Sequence, residues 1–284
     1  MTPFAALHHA DAPLLLPNAW DHASAAGLAA QGFAAIGTTS LGVAAAAGLP
    51  DGSAATRDAS LALALALGNG PFLLSVDAEG GFSDDPAEVA GVARELAAVG
   101  AVGINLEDGR ADGTLVPAEL HAAKIAAVKA AVPGLFVNAR TDTHWPATHG
   151  LNTRRPGKGD GRETMRRLDV YQQAGADGVF VPGLSDPARI AALVTALDVP
   201  LNILYSPTGP AVPALADLGV RRISLGSLLY RRALGAALET AALIRAGRPV
   251  EGVAPTYAEV QELGRPSRPA DPGHAPAGRT SPGR

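Results

Sequence analysis

The chain has 284 residues, 47% of them apolar, and a formal net charge of −4. That charge gives no reason to expect nucleic acid or an acidic membrane surface as partner, and no apolar run approaches the roughly 18 residues of a membrane span. With no cysteine, disulfides, thiolate metal sites and a cysteine nucleophile are excluded. The seven histidines show no His-Glu-x-x-His spacing that would suggest zinc. Nothing at the N-terminus reads as a signal peptide, so a cytoplasmic enzyme is the expectation.

Short apolar runs of strand length alternate with longer Ala-rich amphipathic runs. Strands are expected at Leu14–Pro17, Phe33–Thr38, Phe72–Asp77, Val102–Glu107, Leu135–Arg140, Gly178–Pro182, Leu201–Tyr205 and Arg222–Leu225. Pro86–Val99 and Pro117–Ala131 read as helices between them. Asp85-Pro86 and Asp186-Pro187 are cap-plus-first-residue pairs, because proline in a first turn forfeits no hydrogen bond. Ala98-Val99-Gly100, Gln173-Ala174-Gly175 and Asp217-Leu218-Gly219 each end a helix on a glycine suited to a left-handed turn. Eight strand–helix units predict a closed (β/α)8 TIM barrel, a fold of about 250 residues, rather than an open doubly wound sheet. Ser227–Ala246 and Thr256–Leu263 add C-terminal helices. One barrel domain is expected over 1–264, and the Pro-, Gly- and Arg-rich stretch 265–284 is expected to be a disordered tail.

Three strands stop on charge. Asp77 and Glu79 end one, Glu107 ends the next, and Arg140 ends the third. In a parallel α/β barrel that edge is where ligands bind. Asp77, Glu79 and Glu107 are expected to converge, and oxygen donors without sulfur favour Mg2+, with Mn2+ as the alternative. On spacing alone the same acids serve equally as helix caps or rim ion pairs. Arg140 can clamp a substrate carboxylate or pair with Asp142 or Glu107. Thr39, Ser40, Leu41 and Gly42 offer hydroxyl and backbone donors for an anion, or form a plain polar loop. The basic, glycine-rich segment Arg154–Arg162 reads as a solvated loop or a mobile lid.

Taken together, Pro17-Asn18-Ala19-Trp20-Asp21, Gly37-Thr38-Thr39-Ser40, Ser75–Gly81, Leu106-Glu107-Asp108, Asn138–Asp142 and Ala174–Gly178 resemble the isocitrate lyase/phosphoenolpyruvate mutase family. The likeness runs from about Leu14 to Ala246. It implies a magnesium-dependent barrel acting on C–C or P–C bonds beside a 2-oxo acid, in a homotetramer that swaps its last barrel helix. By motif match Asp77 is the direct metal ligand, with Glu79 and Glu107 acting through water. Arg140 is the carboxylate clamp, and Ser40 with the backbone of Leu41 and Gly42 cradles the 2-oxo acid. Asp51 falls at the active-site mouth, and Asn202 on a later strand end is expected to reach substrate. Asp51, Glu107 and Arg140 are the expected catalytic residues; Thr39, Ser40, Leu41, Gly42, Asp77, Arg140 and Asn202 the substrate-binding ones.

The departure lies after Glu107-Asp108. The lyases carry a Lys-Lys-Cys-Gly-His loop there, and the mutases a longer loop with a lysine and an asparagine–serine pair. Here the stretch is only Gly109-Arg110-Ala111-Asp112-Gly113-Thr114-Leu115. The expected function is therefore a Mg2+-dependent lyase that breaks a C–C bond of a small 2-oxo or 2-hydroxy dicarboxylic acid through a metal-stabilised enolate. The alternatives are a hydrolase or mutase of phosphonopyruvate-like P–C bonds, and a non-catalytic binder of 2-oxo acids.

Overall fold

The computed structural model of the chain describes residues 1–145 and 161–264. Its elements run α1 (Pro3–Ala6), β1 (Leu14–Leu16), β2 (Asn18–Ala19), α2 (His22–Ala30), β3 (Ala35–Thr38), α3 (Ser40–Ala47), α4 (Arg57–Leu67), β4 (Leu73–Asp77), α5 (Pro86–Ala98) and β5 (Ala101–Glu107). They continue with α6 (Ala118–Ala131), β6 (Phe136–Arg140), α7 (Gly161–Gln173), β7 (Gly178–Phe180), α8 (Pro187–Ala196), β8 (Leu201–Leu204), α9 (Val212–Asp217), β9 (Arg222–Ser224), α10 (Leu228–Arg245) and α11 (Tyr257–Leu263). Every strand pairing is parallel, in the order β1-β9-β8-β7-β6-β5-β4-β3-β2. This is the expected TIM barrel with extra C-terminal helices.

One expected strand divides. Pro17 has no N–H to give to a ladder, so the first strand changes partner there. Leu14–Leu16 pairs with β9, whereas Asn18 and Ala19 pair with β3. The Pro17 carbonyl accepts from Gly37 N at 2.8 Å, and that of Leu16 from Leu225 N at 3.1 Å. The first strand thus closes the barrel by serving both of its edges.

Helix boundaries follow local chemistry. Asp85 Oδ1 caps α5 at Ala87 N (2.8 Å), and Asp186 Oδ1 caps α8 at Ala188 N (2.9 Å), each with proline as the first helical residue. Gly100, Gly175 and Gly219 take the expected positive φ at helix ends.

Alternation along the strands layers the interior. Gly103, Asn105 and Glu107 share one face of β5; Phe136, Asn138 and Arg140 share one face of β6. Each column climbs from an apolar floor through an amide to a charge at the mouth. The floor is sealed by Phe4 of α1, fully buried and edge-on to Phe136 at 5.4 Å, with His8 stacked on Phe136 at 4.2 Å. Gly103 makes room for this plug: a Cβ there would sit 2.7 Å from the Phe4 ring. Burying that ring contributes about 2–3 kcal/mol.

The expected tail, 265–284, and most of the basic segment lie outside the described residues; Gly161 and Arg162 open α7. Among the described residues no helix is long and apolar enough to cross a membrane.

Candidate active site

A cavity of about 430 Å³ opens at the carboxyl ends of the strands. Thr39, Ser40, Leu41, Asp51, Asp77, Glu107 and Arg140 all line it. Six of these residues leave strand ends or the turns just after them, so the parallel sheet brings together groups far apart in sequence.

Asp77 ends β4. Its backbone N–H donates to Thr38 Oγ1 (2.9 Å), and its Oδ2 accepts from Ser40 N (3.2 Å) at the start of α3. Its Oδ1 is buried and has no hydrogen-bond partner among the described residues. Asp51 Oδ1, from the loop before α4, is likewise buried and unpartnered. Burial pushes the Asp77 carboxyl up, partly opposed by the Arg140 charge and the Ser40 N–H. Glu107 is pushed well above the usual carboxylate range by burial, with Arg140 opposing and the Asp142 charge adding to it.

Arg140 joins both of the pairs open to it in sequence. Its Nε and Nη2 donate side-on to Asp142 Oδ1 and Oδ2 at 2.6 and 2.9 Å, and its Nη1 lies 2.7 Å from Glu107 Oε2. Trp145 and Phe180 flank the guanidinium, their ring centroids 5.6 and 5.8 Å from its carbon. A guanidinium has five N–H groups. The side-on pair with Asp142 spends two and leaves three, two on Nη1 beside Glu107 and one on Nη2, and one from each terminal nitrogen makes the fork that takes a carboxylate end-on. Ion pair and clamp are therefore compatible.

Asp142 is held in turn. Its N–H donates to Asp108 Oδ1 (2.9 Å), while Asp108 Oδ2 accepts from Arg167 Nη1 (3.0 Å) and the Tyr171 hydroxyl (2.6 Å). Arg167 and Tyr171 stand one helical turn apart on α7, and sequence reading missed both. The stretch after Asp108 folds back on itself: Gly109 bridges Leu115, Arg110 N donates to Thr114 O (3.0 Å), and Asp112 Oδ1 accepts from Thr114 Oγ1 (2.6 Å). Arg110 Nη2 reaches Asp84 Oδ2 (2.6 Å), and Asp84 Oδ1 accepts from the buried Lys124 Nζ (3.1 Å). The shortened loop is a pinned hairpin forming one wall of the cavity.

Three of the expected site residues, Glu79, Asn202 and Gly42, stand apart from the main cavity. Asp77 and Glu107 line the main cavity and Glu79 does not; among the described residues no three acidic or histidine side chains group as direct ligands of one ion, an arrangement that a single direct ligand with others acting through water does not require. Glu79 is the one turned aside. Its backbone is left-handed (φ 48°), and its carboxylate accepts from Ala54 N (3.1 Å) and the Thr56 hydroxyl, facing a neighbouring smaller cavity. Asn202 does not reach the main cavity either. It is buried within the barrel, where its Nδ2 donates to Ser224 Oγ (2.7 Å) and its Oδ1 accepts from the same hydroxyl (2.9 Å). Gly42 packs inside α3, where a Cβ would meet Thr39 and Trp20 at 2.8 and 2.9 Å, and is not among the lining residues.

Asn105 lines the cavity and was not anticipated. Its signal was present, since Gly103-Ile104-Asn105-Leu106-Glu107 alternates and puts Asn105 on the face of Glu107.

The chain matches the family model for phosphoenolpyruvate phosphomutase over residues 4–245. It is 44% identical over 255 residues to an uncharacterised protein of Mycobacterium tuberculosis, covering 90% of this chain and 93% of that one. A 2-methylisocitrate lyase of Bacillus subtilis strain 168 is 31% identical over 202 residues, 66% of this chain and 61% of the lyase. A solved structure from Burkholderia cenocepacia J2315 superposes with a TM-score of 0.76 at 36% identity, covering 85% of this chain and 97% of its own. With its barrel, its charged strand ends and these matches, the chain belongs to the isocitrate lyase/phosphoenolpyruvate mutase family, whose enzymes are lyases and mutases.

Proposed function

We propose that this enzyme is a Mg2+-dependent lyase that breaks a C–C bond of a small 2-oxo or 2-hydroxy dicarboxylic acid, by decarboxylation or by retro-aldol or retro-Claisen cleavage. The observation that carries the reading is one cavity holding two buried, unpartnered carboxylate oxygens, on Asp77 and Asp51, beside an Arg140 fork with N–H groups to spare. Orphaned anionic oxygens without sulfur suit a hard cation. Asp77 would hold it, backed by Asp51 and Glu107; Glu79, committed to Ala54 and Thr56, is left out of the donor set. Mg2+, when bound, supplies positive charge against the enolate that forms as the bond breaks.

The chain's own residues do the rest. Arg140 orients the substrate carboxylate end-on, and Asp142 keeps the guanidinium aimed. Ser40 and Leu41 border the acid at the start of α3, whose N-terminal end favours negative charge. Leu41, Leu115, Phe180 and Leu204 supply an apolar wall. Decarboxylation asks least of such a site, since it needs neither a base nor a nucleophile to begin. That matters because the pinned hairpin carries none of the loop residues of the named lyases.

The test is a mass-spectrometric screen of 2-oxo and 2-hydroxy acids with Mg2+, with and without chelator, on the parent chain and Asp77→Ala. Turnover abolished by chelator and by Asp77→Ala is expected; turnover unchanged in Asp77→Ala refutes the assignment. The matched family model favours a second reading, cleavage or transfer at a P–C bond. Consumption of phosphonopyruvate but not oxaloacetate would select it.

We also propose a cytoplasmic homotetramer exchanging its last barrel helix. In support, no residue of the 18-residue α10 is buried, and Leu238 and Ile244 are each 64% exposed. A light-scattering mass of one chain would refute this.

A further inference from the structure

Arg222 on β9 is a buried cation without a counter-ion. Its side chain lies inside the barrel, 1% exposed, and no carboxylate pairs with it among the described residues. Its Nη2 donates to Asn105 Oδ1 at 3.0 Å, while Nε and Nη1 have no partner there. Burial draws its pKa down to about 9, with the Asp77 charge working the other way. Nothing in the proposed reaction uses this group, and keeping a guanidinium dry is costly.

Its geometry dictates the orientation of its neighbour. A guanidinium carries only donors, so the Asn105 atom facing it must be the oxygen. Asn138 Nδ2 donates to the same oxygen at 2.9 Å, fixing the amide from a second side. The Asn105 amide can therefore offer only its NH2 elsewhere. None of the described protein groups accepts from that nitrogen, and Asn105 lines the cavity. In register it stands beside Asp77 on β4, and two residues below Glu107 on β5. A neutral donor is thus presented at the acidic end of the site.

We infer that Asn105 is a catalytic residue whose Nδ2 donates to the 2-oxygen of a bound 2-oxo acid, and that Arg222 is its positioning residue. This rests on the 2-oxo acid reading above and deepens it. A donor aimed at an oxygen that gains charge strengthens as the bond breaks, so its effect falls on turnover more than on ground-state binding. Arg222 acts without touching the substrate, by denying the amide its other orientation.

The experiment measures kcat and KM for the best substrate of the panel, and calorimetric binding of oxalate, a planar dianion resembling the enolate, all with Mg2+. Asn105→Asp keeps an oxygen facing Arg222 and removes the donor; Asn105→Ser shortens the side chain without adding charge. Both are expected to lower kcat by about 10²-fold, the scale of losing one oxyanion donor, with oxalate binding weakened and KM little changed. Arg222→Met is expected to reproduce a smaller kcat loss, and Arg222→Lys, which still donates to Asn105 Oδ1, to restore it. Should Asn105→Ser fail to fold, Asn105→Asp decides alone, since its carboxylate pairs with Arg222. Variants at Asn105 within twofold of the parent in kcat and oxalate affinity overturn the inference while leaving the 2-oxo acid reading standing. A parent chain that neither binds oxalate nor turns over any 2-oxo acid overturns both.

Discussion

At the scale of single residues, the site is defined by which hydrogen bonds are already spent. Arg140 keeps an end-on fork only because Asp142 takes the side-on edge. Asp142→Asn retains the shape but removes the charge and turns a donor toward a donor. Hydrogen bonds to charged groups are worth about 1.5–3 kcal/mol. We therefore expect kcat/KM to fall by about 10- to 100-fold, most of it in KM for the acid. Steady-state kinetics check this, and an unchanged KM would show that Asp142 does not aim the clamp. The strand-end acids and Arg140 were legible in the sequence because each interrupts an apolar run at its last residue. Spacing could not show that the left-handed backbone of Glu79 turns its side chain to Thr56. Arg222 was hidden for another reason: beside Arg221 it reads as one half of a surface basic pair.

At the scale of elements, the hairpin after β5 sets the shape of the mouth. Gly109 is its critical residue, since a Cβ there would lie 2.3 Å from Asp142 Oδ2 and 2.9 Å from its Cγ. Gly109→Ala must push Asp142 off Arg140 or the hairpin off its pin, and overpacking of this kind costs about 1–3 kcal/mol. The expected result is a lower Tm together with a raised KM. A Tm and KM equal to the parent's would mean that the contact relaxes freely. The helices around the barrel were largely readable, because Asp-Pro starts and glycine ends are decided within a few residues. The split at Pro17 and the Phe4 plug were not, because each depends on partners about a hundred or more residues away: Leu16 on Leu225, Phe4 on Gly103 and Phe136. Asn202 is tied to Ser224 on the neighbouring strand, a pairing that its own stretch of sequence does not show.

For the molecule as a whole, buried histidines contribute to the response to acid, His8 and His121 most strongly, with His144 also drawn down by burial. His8 stacks on Phe136 and His121 packs edge-on to Tyr171 at 4.6 Å; burial draws each down to about 3 from 6.5. Their folded-state values are depressed, so the unfolded chain binds more protons below pH 6.5. Stability is full above that value and is lost as the pH falls toward 3, by about 2 kcal/mol per histidine at pH 5. The buried carboxylates Asp77, Glu107 and Asp142 are raised and act in the opposite sense, gaining as the pH falls. The informative measurement is therefore the difference between chains. Denaturant midpoints of His8→Gln and His121→Gln at pH 7 and pH 5 should each show a smaller acid loss than the parent. Equal losses would place the acid sensitivity elsewhere.

The double service of the first strand has a consequence for biosynthesis. Residues 14–16 leave the ribosome early, yet their ladder partners at 222–224 are among the last strand residues made. Throughout most of translation the nascent sheet grows from the β2–β3 pair onward with an unzipped margin on either side, and such margins recruit stray chains. The final ring forms in a single late event that must span some two hundred residues, which makes assembly slow relative to local helix formation. Crowded synthesis therefore imposes its greatest hazard on this protein in the interval just before its ninth strand emerges.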